Sequence, residues 1–138
     1  MSTPTLLWLF PIAFMLHDFE ELIGFELWLK RHAPDVRTKL QKVLPAALMP
    51  RVDSVLAKST TQFAVPIALI FLLTVIASFV AVELHSYGFF LAASAAYVLH
   101  GLIHIGQAIA LRRYVPALAT SVLFVLPYGA LLYPRLVA

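Results

Sequence analysis

Four stretches of this 138-residue chain, at about 6–29, 63–82, 87–111 and 115–137, are each long and apolar enough to cross a bilayer. A spanning helix needs about 20 mostly apolar residues. Lipid offers no partners for a bare backbone, so only helices and closed barrels can span it. Runs of this length are too long for barrel strands. With 62% hydrophobic and 12% charged residues, a water-soluble globule this small could not hide its apolar surface. The sequence therefore predicts an all-α fold. It is a four-helix transmembrane bundle forming one integral membrane domain over 1–138. Pro66 and Pro116 are expected to open the second and fourth spans, and Pro127 to kink the fourth.

The segment between the first two spans, about 32–59, is different. Together with its flanks it carries Lys30, Arg31, Arg37, Lys39, Lys42, Arg51 and Lys58, seven of the ten basic residues. Apolar residues from Val36 to Leu56 recur among them at helical spacing, interrupted near Pro45 and Pro50. This pattern predicts an amphipathic, interfacial helical segment on the cytoplasmic leaflet. The loop after the second span has no Lys or Arg, and the next turn has Arg112 and Arg113. The positive-inside rule then makes the first loop cytoplasmic and turns both termini outward. Basic charge confined to one loop gives no case for nucleic acid as a partner. The chain has no cysteine, which removes thiolate chemistry.

The first span contains His17, Asp18, Glu20, Glu21 and Glu26. An acidic residue at the bilayer centre costs roughly 2.5–3.5 kcal/mol on insertion scales. Such a cluster survives only facing the bundle interior, paired, protonated or bound to a metal. At about 100° per residue, His17, Glu20 and Glu21 share one arc, with Asp18 at its edge. The third span offers the complement: His100 and His104 stand one turn apart, and Gln107 continues their stripe. Both spans run in the same direction. His17 and His100 then lie near mid-span, with Glu20, Glu21 and His104 one turn nearer the cytoplasm.

Three imidazoles and two carboxylates without thiolate suit a divalent ion, Zn²⁺ or non-haem iron. The candidate metal ligands are His17, His100, His104, Glu20 and Glu21. Whichever of Glu20 and Glu21 is not a ligand is free to act as a general base, which makes both candidate catalytic residues. A metal-free hydrogen-bond network or proton relay is the competing reading. Arg112, Arg113 and Gln107 are candidate binding residues at the site mouth, the arginines either for a phosphate headgroup or simply as helix-end anchors.

The run His17-Asp18-Phe19-Glu20-Glu21, together with HIGQAIALRRYVPALATS at 104–121, resembles the HXXEE-domain family of small bacterial membrane proteins. His17, Glu20 and Glu21 match its motif. His104, Arg112 and Arg113 match the downstream run. Where the family often has Gly after the proline, this chain has Ala117. The resemblance implies the bacterial inner membrane and fixes no reaction. The functional expectation is a metal-dependent membrane enzyme, hydrolytic or oxidative, acting on a lipidic or small apolar substrate. The alternative is a non-enzymatic site for proton or metal passage or for lipid binding, in which case transport would call for a homo-oligomer.

Overall fold

The computed structural model describes residues 1–137, and its described residues form an all-α structure. Helix α1 (Thr3–Gln41) is followed by a 3₁₀ turn (Ala46–Leu48) and α2 (Met49–Leu56). Helices α3 (Thr60–Glu83) and α4 (Gly88–Leu111) come next. The chain ends in α5 (Leu118–Thr120), a π-helical turn (Ser121–Val125) and α6 (Leu126–Val137), which run on as one interrupted helix. Three helices are long and apolar enough to cross a membrane: Thr60–Glu83, Gly88–Leu111 and Leu118–Leu136. Helix α1 is not among them, because the ionisable residues at 17–21 lower its apolar content.

Several sequence boundaries move. The first helix does not stop near residue 29 but continues through Pro34 to Gln41, so the first half of the expected interfacial segment is the tail of α1. Only the second half, α2, is a separate amphipathic helix. Pro50 sits in its first turn, where a missing N–H is tolerated, rather than breaking it. Helix α3 begins three residues early, under a Ser59–Gln62 capping box, which leaves Pro66 inside the helix. Pro116 precedes the last helix instead of opening it. Ala117 takes a left-handed φ of 68°, and the helix starts at Leu118. This is the conformation a glycine adopts without cost, so Ala117 keeps the turn at the expense of strain. The irregularity expected at Pro127 lies one turn earlier, as the π turn. A proline cannot donate to the carbonyl one turn before it, and the helix resets its hydrogen bonding there.

Helix α1 is the spine. Ile12, Leu16, Phe19, Ile23 and Leu27 form an exposed apolar stripe along one side. Leu6, Leu7, Phe10, Ala13, Phe14, His17, Asp18 and Glu21 are buried on the other. The ring of Phe10 packs against Phe90, Tyr97 and Tyr128 at centroid distances of 5.3, 5.6 and 6.0 Å. Each of the three other long helices also donates a hydroxyl to an α1 carbonyl. Ser78 reaches Leu7 O at 2.9 Å, Tyr97 reaches Ala13 O at 2.8 Å and Tyr128 reaches Leu6 O at 3.1 Å. The first of these has a local cause. Pro11 has no N–H for the Leu7 carbonyl four residues back, and Ser78 fills that vacancy from α3.

Two further contacts lock neighbouring elements together. Arg37 near the end of α1 clasps Asp53 of α2 through two hydrogen bonds, 2.7 and 3.2 Å. These bonds hold the exposed Asp53 carboxyl below the usual carboxylate range. On the α4–α6 side, Gly101 lies against Val125, such that a β-carbon at 101 would stand 2.7 Å from Val125 Cγ1.

Gly101→Ala is therefore expected to lower stability by about 1–3 kcal/mol through overpacking, read as a lower melting temperature in detergent; an unaltered melt would mean Val125 yields. The Asp53–Arg37 clasp stabilises the docked α2 above roughly pH 4, the ordinary Asp value. That contribution disappears as pH falls through the depressed folded value. Amide exchange in α2 should accelerate on acidification, and Asp53→Asn should abolish this pH dependence.

Candidate metal centre

The buried arc of α1 decides which ionisable groups meet. It is centred on Phe10, Phe14, His17 and Glu21 and extends to Asp18, so His17, Asp18 and Glu21 point inward. Glu20, about 60° to the other side of His17, falls at the boundary between core and exposed apolar stripe and is only partly buried. From α4, His104 is buried beside them, while the His100 side chain keeps 42% of its surface accessible. The three imidazoles converge. The His17 ring lies 5.3 Å from both His100 and His104, and those two are 4.5 Å apart. Each offers one nitrogen within 4.8 Å of the other two. The α4 pair touches directly, Nε2 to Nε2 at 3.0 Å. Glu21 faces both of these atoms, with Oε2 3.7 Å from His100 and 4.0 Å from His104.

Glu20 has a different occupation. Its carboxylate accepts from the backbone N–H of Thr120 at 2.7 Å and of Ala119 at 3.3 Å. It also accepts from the Thr120 hydroxyl at 2.6 Å and from the Tyr114 hydroxyl. A carboxylate here satisfies the orphan donors that begin the last helix, which Ala117 leaves without a side-chain cap. Glu26 does the same service for α3, accepting from Thr60 N at 2.8 Å while pairing with Lys30 at 2.7 Å. The sequence assigned Glu20 to the metal set and to catalysis; the structure assigns it to a helix start and keeps it out of the clusters of potential ligands among the described residues.

Thr120 carries the consequence to the histidine. Its single hydroxyl proton goes to Glu20, so its oxygen is left to accept, and His17 Nδ1 stands 3.0 Å away. This network puts the His17 proton on Nδ1 and leaves a lone pair on Nε2. That Nε2 is buried and has no hydrogen-bond partner. Asp18 Oδ2 and His104 Nδ1 are the other buried side-chain atoms without one among the described residues. The hydroxyls of Ser78, Tyr97, Ser121 and Tyr128 elsewhere in the core are all engaged. Unsatisfied buried polar atoms are normally rare, and here they gather in one place.

Around a tetrahedral Zn²⁺ with Zn–N near 2.0–2.1 Å, neighbouring nitrogens sit about 3.3 Å apart. The observed imidazole nitrogens, 3.0 Å for one pair and no more than 4.8 Å for any, fit such an ion with small side-chain adjustments. A second grouping, Asp18, Glu21 and His100, offers its donor atoms within the same limit.

Two chambers meet at this centre. One of about 500 Å³ lies between α1, α3 and α4, with Asp18, Glu21 and His100 in a wall that is otherwise apolar but for Thr74 and Tyr97. The other, about 660 Å³, lies under α2 and is also lined by Glu21, His100 and His104. Gln107 lines this second chamber but is exposed on α4. Arg113 is engaged with Asp35 at 3.1 Å, and Arg112 is an exposed, left-handed helix end with φ 53°. Neither arginine joins the imidazole cluster. Thr120 and Asp18 are the residues the sequence alone does not single out: the first is one hydroxyl in an apolar run, the second lies at the edge of the arc. The adjacency of Asp18 to His17 on a wide apolar arc was the available signal.

Severing the relay is the direct check on this network. Thr120→Val removes the link between Glu20 and His17 and is expected to cost about 1–3 kcal/mol, while Thr120→Ser retains most of it. Equal melting temperatures for the two variants would contradict the assignment.

A family model described as a protein of unknown function with HXXEE motif matches residues 8–132. No curated protein and no solved structure matches the chain.

Proposed function

We propose that this chain, which belongs to the HXXEE family, is an intramembrane metal-dependent hydrolase that holds one divalent ion, zinc or iron, on His17, His100 and His104. The observation that carries the reading is the His17 Nε2 lone pair, buried, partnerless and directed by the Thr120–Glu20 relay. Outer hydrogen bonds of this kind orient metal-binding histidines. Such an ion supplies Lewis acidity toward a carbonyl and toward water.

The chain's own residues do the rest. Glu21 lies against both α4 imidazoles and, with Glu20 committed elsewhere, is the carboxylate free to take a proton from water and return it to a leaving group. With Asp18, it also brings the buried charge of a divalent site to balance, which matters where the medium is apolar. The spare base favours hydrolysis over oxidation. The apolar wall of the first chamber favours a lipidic substrate.

The same proposal includes four crossings. The exposed stripe from Ile12 to Leu27 supports α1 as the fourth span, polar side inward and apolar side to lipid. The basic residues of 30–58 support placing that loop in the cytoplasm and both termini outside, in the bacterial inner membrane. A second reading, passage of a proton or ion, is favoured by the fact that Glu21 and His100 line both chambers.

Purified protein is expected to carry about one equivalent of zinc or iron by elemental mass spectrometry, lost in His17→Ala and His104→Ala. Ion removal by a chelator should lower the melting temperature through linkage. A folded, metal-free protein whose melting is indifferent to added zinc or iron would overturn the metal reading. Metal-dependent flux into liposomes without hydrolysis would favour passage.

A further inference from the structure

One carboxylate oxygen at the centre remains without a hydrogen-bond partner. Asp18 is 3% exposed, its Oδ2 has no partner, and it lines the 500 Å³ chamber. The other hydroxyls on that wall are already used: Tyr97 donates to Ala13 O at 2.8 Å and Thr74 to Phe71 O at 2.7 Å. The remaining surface is apolar, and Ile70, Leu73 and Phe89 on its rim are exposed, so the chamber opens where lipid chains would lie. A guest therefore meets an apolar sleeve with the unpartnered Asp18 Oδ2 at its polar end, beside Glu21 and His100.

We propose that the chamber selects long-chain amides: the amide N–H donates to Asp18 Oδ2, the carbonyl carbon lies toward Glu21 with its oxygen turned to His100, and the alkyl chain occupies the apolar sleeve. An ester of the same chain has no N–H and leaves Asp18 unanswered. A fatty acid brings a third carboxylate to Asp18 and Glu21. As a statement about substrate, this rests on the hydrolase reading; as a statement about binding, it stands without it. In the reaction, the oxygen of water bonds to the carbonyl carbon and the C–N bond breaks. The nitrogen leaves as an amine carrying the proton that Glu21 took from the water, and a carboxylic acid remains.

Sites built to hydrogen-bond a donor discriminate strongly against analogues that lack it. The test compares dodecanamide with methyl dodecanoate, binding to the detergent-solubilised full chain both chelated and metal-loaded. Wild type is expected to prefer the amide by about tenfold or more in affinity, the equivalent of about 1.4 kcal/mol. Asp18→Leu should bring the two ligands to parity. Asp18→Asn, which keeps a neutral acceptor and the size of the side chain, should reduce the preference severalfold and serves if the leucine variant does not fold.

Equal binding of amide and ester by wild type, or a preference undiminished in the Asp18 variants, would overturn the proposal. Amide preference that persists in chelated protein and in His17→Ala, with no hydrolysis when zinc or iron is supplied, would sink the hydrolase reading and leave the binding site standing.

Discussion

A carboxylate on a helix surrounded by apolar neighbours must be met by a donor, and the structure follows from how α1 meets this requirement. Glu20 and Glu26 each accept from the first backbone N–H groups of another helix, the one beginning at Leu118 and the one beginning at Thr60. Both of those helices start at the same end of the bundle. The acidic residues that make α1 a poor membrane helix by composition are thus what join it to its neighbours. The hydroxyls of Ser78, Tyr97 and Tyr128 secure the other end through α1 carbonyls.

Function grows out of the same economy of donors. Because Thr120 gives its proton to Glu20, it can only accept from His17, and the far nitrogen of that ring is left bare in the interior. A helix-capping contact and a bare buried nitrogen are two ends of one hydrogen-bond chain. Removing the cap would disturb the atom, and this makes Glu20 a positioning residue for His17 rather than a partner to the imidazoles.

Much of this was legible in the sequence, and the parts that were not share a cause. Three apolar helices and the matching level of His17, His100 and His104 along theirs could be read because hydropathy and helical rise are local properties. That depth match is realised: the three rings touch. The division of labour between Glu20 and Glu21 was hidden, since both fall on one arc in a helical projection. Only the neighbour that packs there, with Thr120 at its start, separates them. The continuation of α1 through Pro34 was hidden for a related reason: proline signals a stop only when nothing else holds the next turn, and here Arg37 binds α2 and Val36 is buried. The left-handed Ala117 follows from tertiary context in the same way, as the departure from glycine gave notice of the position but not of its conformation.

The contact between Gly101 and Val125 has a bearing on selectivity. Gly101 immediately follows His100, and its bare α-carbon is the notch into which a branched side chain of the π turn is keyed. Sliding α4 lengthwise would drive the adjoining backbone into that side chain. The two α4 imidazoles are accordingly held at a set height relative to the helix that carries Thr120. Toward the ion proposed above, a cage indexed in this manner would resist dilation and discriminate by radius, tolerating small cations and straining against large ones.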